Sequence, residues 1–121
     1  MKKLMFLVLF VLIISTAGCT GGSTFSGSKT GNDKQFLVDF DVLSTTVDHK
    51  MQLSVGDEID TSIDIKKGEV DIIVKNEKDS IAYRGNGLKS CKFTFEIAEA
   101  GEYTFCITGS KAKGKVYFIK K

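Results

Sequence analysis

From Phe36 onward the sequence predicts an all-β fold: a single antiparallel β-sandwich of jelly-roll type, seven or eight short strands, behind a cleaved helical signal peptide and a flexible linker. Three observations carry this. Apolar residues recur at every second position, the period at which strand side chains return to one face. Glycine-bearing turns divide these runs at intervals of about 8–12 residues, the spacing of small antiparallel folds. No stretch of this region keeps a helical period. An up-and-down barrel fits the same pattern and stays open as the alternative.

The elements follow in order. FLVDFDVL places Phe36, Val38, Phe40 and Val42 on one face. VDHKMQLSV offers Val47, Met51, Leu53 and Val55, and the turn Val55-Gly56-Asp57 ends it. EIDTSIDIK sets Ile59, Ile63 and Ile65 against Asp60, Ser62 and Asp64. Lys66-Lys67-Gly68 reads as a turn before EVDIIVK, with Val70, Ile72 and Val74 inward. SIAYR gives Ile81 and Tyr83, and Gly85-Asn86-Gly87 closes it. CKFTFEI gives Phe93, Phe95 and Ile97, and the Ala100-Gly101 turn leads to EYTFCIT, with Tyr103, Phe105 and Ile107. The tract Gly109 to Gly114 is expected to be a turn before KVYFIK. At 121 residues, with 42% apolar and 26% charged residues and mean hydropathy near zero, one domain with a modest core is expected.

The opening residues differ in kind. Met1, Lys2 and Lys3 are basic, Leu4 to Ile14 are apolar, and STAGC follows. This is the layout of a secretory signal. Extended through Ala17 the apolar run is too short for a spanning helix, which needs about 20 residues. Ala17 and Gly18 before Cys19 resemble the lipobox of bacterial lipoproteins, with Thr16 where that family usually has a large aliphatic residue. The resemblance implies cleavage between Gly18 and Cys19, a diacylglycerol on the Cys19 sulfur, and further acylation, palmitate included, of its amine. Two or more acyl chains hold a soluble domain on a membrane stably. The boundaries expected are residues 1–18 as lipoprotein signal peptide, 19–34 as lipidated cysteine and linker, and 35–121 as the sandwich. Thr20 to Lys34 has the composition of a flexible tether.

Three stretches of the sandwich resemble a known family. LSVGDEIDTSIDI, GEVDIIVKNEKDSIAY and FTFEIAEAGEYTFCI together are similar to the GOLD (Golgi-dynamics) domain, across about residues 50–119, with Gly-x-Tyr-x-x-Cys at Gly101, Tyr103 and Cys106. The resemblance implies a sandwich that serves protein or lipid contact and not catalysis. Eukaryotic members carry a coiled coil, a membrane span and a cytosolic tail after the sandwich; here the sequence stops at Lys121, and the cargo-receptor role is not carried over.

Candidate chemistry is sparse. Beyond Cys19, Cys91 and Cys106 form an even pair. A bridge between them would close about 15 residues and contribute roughly 3 kcal/mol. If Ile97 faces Tyr103 across a simple hairpin, the two cysteines lie on opposite faces and stay buried thiols; a glycine turn crossing between sheets, or a bulge, permits the bond. Both outcomes are open from the sequence. His49, the only histidine, reads as a surface residue at a loop-to-strand boundary, and no Gly-x-Ser-x-Gly elbow accompanies it. A single histidine excludes a multi-histidine zinc site. Asp57, Glu58, Asp60 and Asp64 read as a solvated face, since Asp60 and Asp64 lie about 13 Å apart along a strand. Tyr83, Tyr103 and Tyr117 read as core or corner residues, with a carbohydrate groove as the competing use. No catalytic residue, metal ligand or cofactor is expected.

Net charge excludes nucleic acid as a partner. The 17 Lys and Arg fall to 15 once Lys2 and Lys3 are set aside, against 15 Asp and Glu. A balanced chain offers no general field to a polyanion. The local exception is the lysine-rich ending. KVYFIKK, residues 115–121, is expected as an exposed last edge strand to which a protein partner adds. The expected function is therefore a lipid-anchored protein on the extracytoplasmic face of a cell membrane, its sandwich binding a protein or envelope component without catalysis. The alternative is a small-ligand module, for a carbohydrate or metal ion, serving a transporter or enzyme.

Overall fold

The computed structural model describes residues 24–121. The expected signal peptide, the expected cleavage site at Gly18 and Cys19, and the first part of the expected tether lie outside the described residues. Seven strands make up the fold: β1 (Phe25–Gly31), β2 (Gln35–Leu43), β3 (Thr46–Leu53), β4 (Glu58–Asn76), β5 (Ile81–Leu88), β6 (Cys91–Glu96) and β7 (Gly101–Lys120). All pairings are antiparallel. The all-β expectation stands, but the strands are not uniformly short. β4 has 19 residues and β7 has 20.

These two long strands organise the sandwich. The first half of β4 and the second half of β7 pair with each other, and between β6 on one side and β2 and β1 on the other. This gives a first sheet, β6-β4-β7-β2-β1. The second half of β4 and the first half of β7 also pair, flanked by β5 and β3, which gives a second sheet, β5-β4-β7-β3. The register between β4 and β7 shifts twice at Ile65 to Glu69, where both strands bend from one sheet into the other.

The predicted turns at Lys66-Lys67-Gly68 and Gly109 to Gly114 are these bends. Glycine there does not reverse the chain; it lets two backbones close up at a corner. Gly68 has φ +71, and a Cβ on it would run into the carbonyl oxygens of Ser110 and Lys111. The turn expected at each place is a corner with shifted register and not a reversal of the chain.

The core lies between the sheets. Phe36, Val38, Ile59, Ile63, Val116 and Phe118 face it from the first sheet; Met51, Ile72, Val74, Phe105 and Ile107 face it from the second, all buried. Each such side chain stabilises the fold by about 1.5–3 kcal/mol on burial. Tyr103 is buried beside them, and its hydroxyl donates to the Glu99 carbonyl oxygen at 2.6 Å. That bond holds the corner where the chain leaves β6 in the first sheet and enters β7 in the second.

The crossing replaces the simple hairpin considered above. Ile97 does not face Tyr103. Its N–H donates to Asp57 O and its carbonyl accepts from Gly56 N, each at 2.8 Å. Tyr103 sits opposite Met51 and Asn76.

Two further expectations are corrected. Residues 25–31, read from composition as tether, form β1 along the edge of β2. Phe25 is half-buried and the rest of the strand is exposed, so backbone pairing holds it and side chains leave no apolar pattern to read. The lysine-rich stretch 115–121 is not an edge. Lys115 to Ile119 pair with Gln35 to Asp39 on one side and with Asp60 to Asp64 on the other. Last in sequence, the strand is central in the sheet, because its neighbours come from distant parts of the chain.

Candidate binding face

The outer face of the first sheet gathers polar residues from β2, β4, β6 and β7. Strand alternation that turns Val38, Ile63, Val116 and Phe118 inward turns their neighbours outward. One row across this face runs Leu37, Tyr117, Ser62 and Lys92; the next runs Asp39, Lys115 and Asp64. Tyr117 sits at the centre. Its hydroxyl donates to Asp39, 3.0 Å from each carboxylate oxygen. The Lys115 ammonium lies 5.4 Å from the centroid of the Tyr117 ring, within range of cation–π attraction. Desolvation, then the hydrogen bond to Asp39 and the carboxylate's charge, push the Tyr117 phenol up from its ordinary range.

Two clefts open beside this cluster. One, of about 420 Å³, lies against Asp39, Asp41, Lys66 and Lys113; the other, of about 510 Å³, lies against Ser62, Ser90, Lys92 and Tyr117. Asp64 and Lys115 border both. The face thus offers carboxylates, ammonium groups, hydroxyls and one aromatic ring within a small area. Such a set orients a polar ligand. Within the second cleft the Ser90 hydroxyl donates to Asp64, 3.5 Å away.

The remaining candidates are placed as follows. Cys91 and Cys106 are free thiols. Cys91 is on β6, opposite Ile63 in the first sheet; Cys106 is on β7, opposite Asp48 and Ile73 in the second, and points away from the core. The chain does cross between sheets, yet the crossing carries the two residues to different strands of different sheets, and the disulfide considered from sequence is not formed. Burial, with Asp48 adding to it, pushes the Cys106 thiol up, and Lys75 only partly offsets this. A thiol so placed is protonated near neutral pH and is a poor nucleophile.

His49 is not a loop residue on the surface. It occupies an inward position of β3, half-buried, its ring stacked on Phe36 with centroids 5.2 Å apart. Its Nε2 donates to the Asn32 carbonyl oxygen at 2.8 Å, pinning the turn between β1 and β2. Of the three tyrosines, Tyr83 packs with Phe93 and Phe95, Tyr103 holds the corner, and Tyr117 alone reaches the outer face. Asp60 accepts from the Thr94 hydroxyl at 2.7 Å, and Asp64 pairs with Lys66 at 3.7 Å. Among the described residues no group of three His, Cys, Asp or Glu converges to hold a metal ion. Sequence reasoning missed Asp39 and Lys115 as partners of Tyr117. Their alternation with inward residues was visible, but not that β2 and β7 are neighbours.

Comparison with known proteins gives the following. A family model described as emp24/gp25L/p24 family/GOLD matches residues 27–120. No curated protein matches the sequence. A solved structure described as "CBM4 structure and function" is similar at a TM-score of 0.47 and 12% identity, over 87% of this chain and 83% of the other.

Proposed function

The chain belongs to the emp24/gp25L/p24 family, of the GOLD type, and from that membership we propose that it is a non-catalytic binding module held at a membrane face. The observation that carries the reading is the extent of the match, which takes in the sandwich from Gly27 within β1 to the end of β7. Domains of this kind are typically non-catalytic binding modules. The anchor in this reading is a lipidated Cys19, with the sandwich on the extracytoplasmic side and the short stretch before β1 as its tether. In this reading a protein partner adds at a free strand edge; β1, β3, β5 and β6 have such edges, and residues 115–119 do not.

The test is membrane fractionation of the full chain against a Cys19→Ser variant, with mass spectrometry of the N-terminus. The wild type is expected to resist a high-salt wash and to carry diacylglycerol on Cys19, and the variant to be released. Release of the wild type by salt, or a mature N-terminus elsewhere, overturns the anchor.

The cluster around Tyr117 favours a second reading, a small polar ligand such as a carbohydrate bound on the outer face of the first sheet. A thermal-shift screen with neutral sugars and divalent ions tests it, because a ligand of the native state raises Tm. A shift lost in Tyr117→Ala supports the reading; no shift with any sugar rejects a carbohydrate.

A further inference from the structure

Strand β6 ends the first sheet, and its outer edge is unpaired. The hydrogen bonds of Ile97 toward Gly56 and Asp57 set the parity of this strand. Odd-numbered residues bond toward β4. The N–H and C=O groups of Lys92, Thr94 and Glu96 therefore point outward along the edge. Unlike β5, whose pairing with β4 is broken by two register shifts, β6 runs in unbroken register from Cys91 to Glu96. It is a regular edge of the kind that accepts another strand.

Its sequence is self-complementary. Read outward from Thr94, CKFTFE has phenylalanine on both sides, then lysine on one side and glutamate on the other. We propose that β6 pairs with β6 of a second copy of this chain, antiparallel, about a two-fold axis at Thr94. In that register Lys92 faces Glu96 of the second copy, Phe93 faces its Phe95, and Thr94 faces itself. The two-fold repeats each pair, as an isologous interface requires. The outward N–H and C=O groups of Lys92, Thr94 and Glu96 meet their counterparts in the ladder.

Charge in the single chain supports this occupant. Neither Lys92 nor Glu96 has an ion-pair partner among the described residues. Glu96 lies directly opposite Glu58, whose carboxylate Lys121 already pairs at 3.2 Å, so Glu96 itself is left for a lysine from the second copy. Apolar surface supports it too. Phe93, Phe95 and Tyr83 pack with ring centroids 4.6 to 6.3 Å apart in the seam where β5 and β6 approach without pairing, and all three are only half-buried. Pairing through β6 extends the inner face past Phe93 and Phe95 into the second copy. Edge β3 also carries opposite charges, Asp48 and Lys50, around a central residue, but that residue is His49, which is tied to the β1–β2 turn.

The test is sedimentation of the full-length chain in non-ionic detergent over a concentration series. A monomer–dimer equilibrium is expected. Lys92→Glu and Glu96→Lys each set like charges against one another twice per dimer and should raise Kd by roughly tenfold or more. The double variant K92E/E96K should recover the wild-type Kd. Thr94→Pro, which removes an outward N–H that no intrachain strand uses, should give a folded monomer by circular dichroism. A wild type that stays monomeric overturns the proposal. So does a dimer indifferent to both single charge reversals, which would place the contact on another edge, or a double variant that fails to recover. The charge variants are exposed substitutions, so the result stands even if Thr94→Pro does not fold.

Discussion

Phe105 and Phe118 meet edge to face across the core with ring centroids 4.9 Å apart, and both belong to the same strand. β7 bends between them, so one strand contributes to both inner faces and packs against itself. Both rings are fully buried. Phe105→Ala and Phe118→Ala should each cost about 3–5 kcal/mol in urea unfolding. A double-mutant cycle should return a coupling of about 0.5–1.5 kcal/mol, and additivity would show the contact to be incidental.

Gly68 and Gly56 both have positive φ, +71 and +91, but only Gly68 is crowded. A Cβ at Gly56 meets open space. Both alanine variants bear the left-handed penalty of about 1–2 kcal/mol. Gly68→Ala must in addition push apart the corner at Ser110 and Lys111. Its loss of stability should exceed that of Gly56→Ala clearly; equal losses would mean that the corner is not closely packed.

Thr61 is buried on the inner face of the first sheet, opposite Phe118 and Phe93, and its hydroxyl finds no partner among the described residues. A buried hydroxyl without a partner costs about 1–3 kcal/mol. Thr61→Val keeps the shape and removes that cost. Its midpoint in urea should rise, against the usual direction of core substitutions.

Tyr103→Phe deletes the hydroxyl that holds the Glu99 carbonyl at 2.6 Å and keeps the ring in the core. A loss of about 1 kcal/mol is expected. Hydrogen exchange should quicken first around residues 97–101, where the chain passes between sheets.

The Tyr117 phenol titrates above its ordinary range, first through desolvation and then through Asp39. Asp39→Asn removes the carboxylate's charge, so the phenol should titrate lower than in the wild type, read by near-ultraviolet absorbance. Because the folded-state value is the raised one, the contribution to stability is complete below the unfolded tyrosine value. It fades as pH climbs through the folded one. An unmoved titration would show that Asp39 does not hold the hydroxyl in solution.

The inner faces were legible because burial imposes a period of two: Phe36 and Val38, Ile59 and Ile63, and Phe105 and Ile107 are all core residues. What escaped was non-local. β1 has one half-buried side chain and is held by its backbone, which composition does not encode. The centrality of residues 115–119 depends on β2 and β4, more than 50 positions away in the case of β4. The face around Tyr117 escaped for the same reason, since Asp39 and Tyr117 are 78 residues apart. Gly68 and Gly114 looked like turns because a corner and a reversal require the same backbone freedom.

In many sandwiches the backbone passes between the two leaves only through loops. Here β4 and β7 carry the peptide backbone itself from one leaf to the other, side by side. Shear between the leaves is therefore opposed by covalent bonds at one end, and neither leaf can be lent to a neighbouring molecule without tearing both long strands out together.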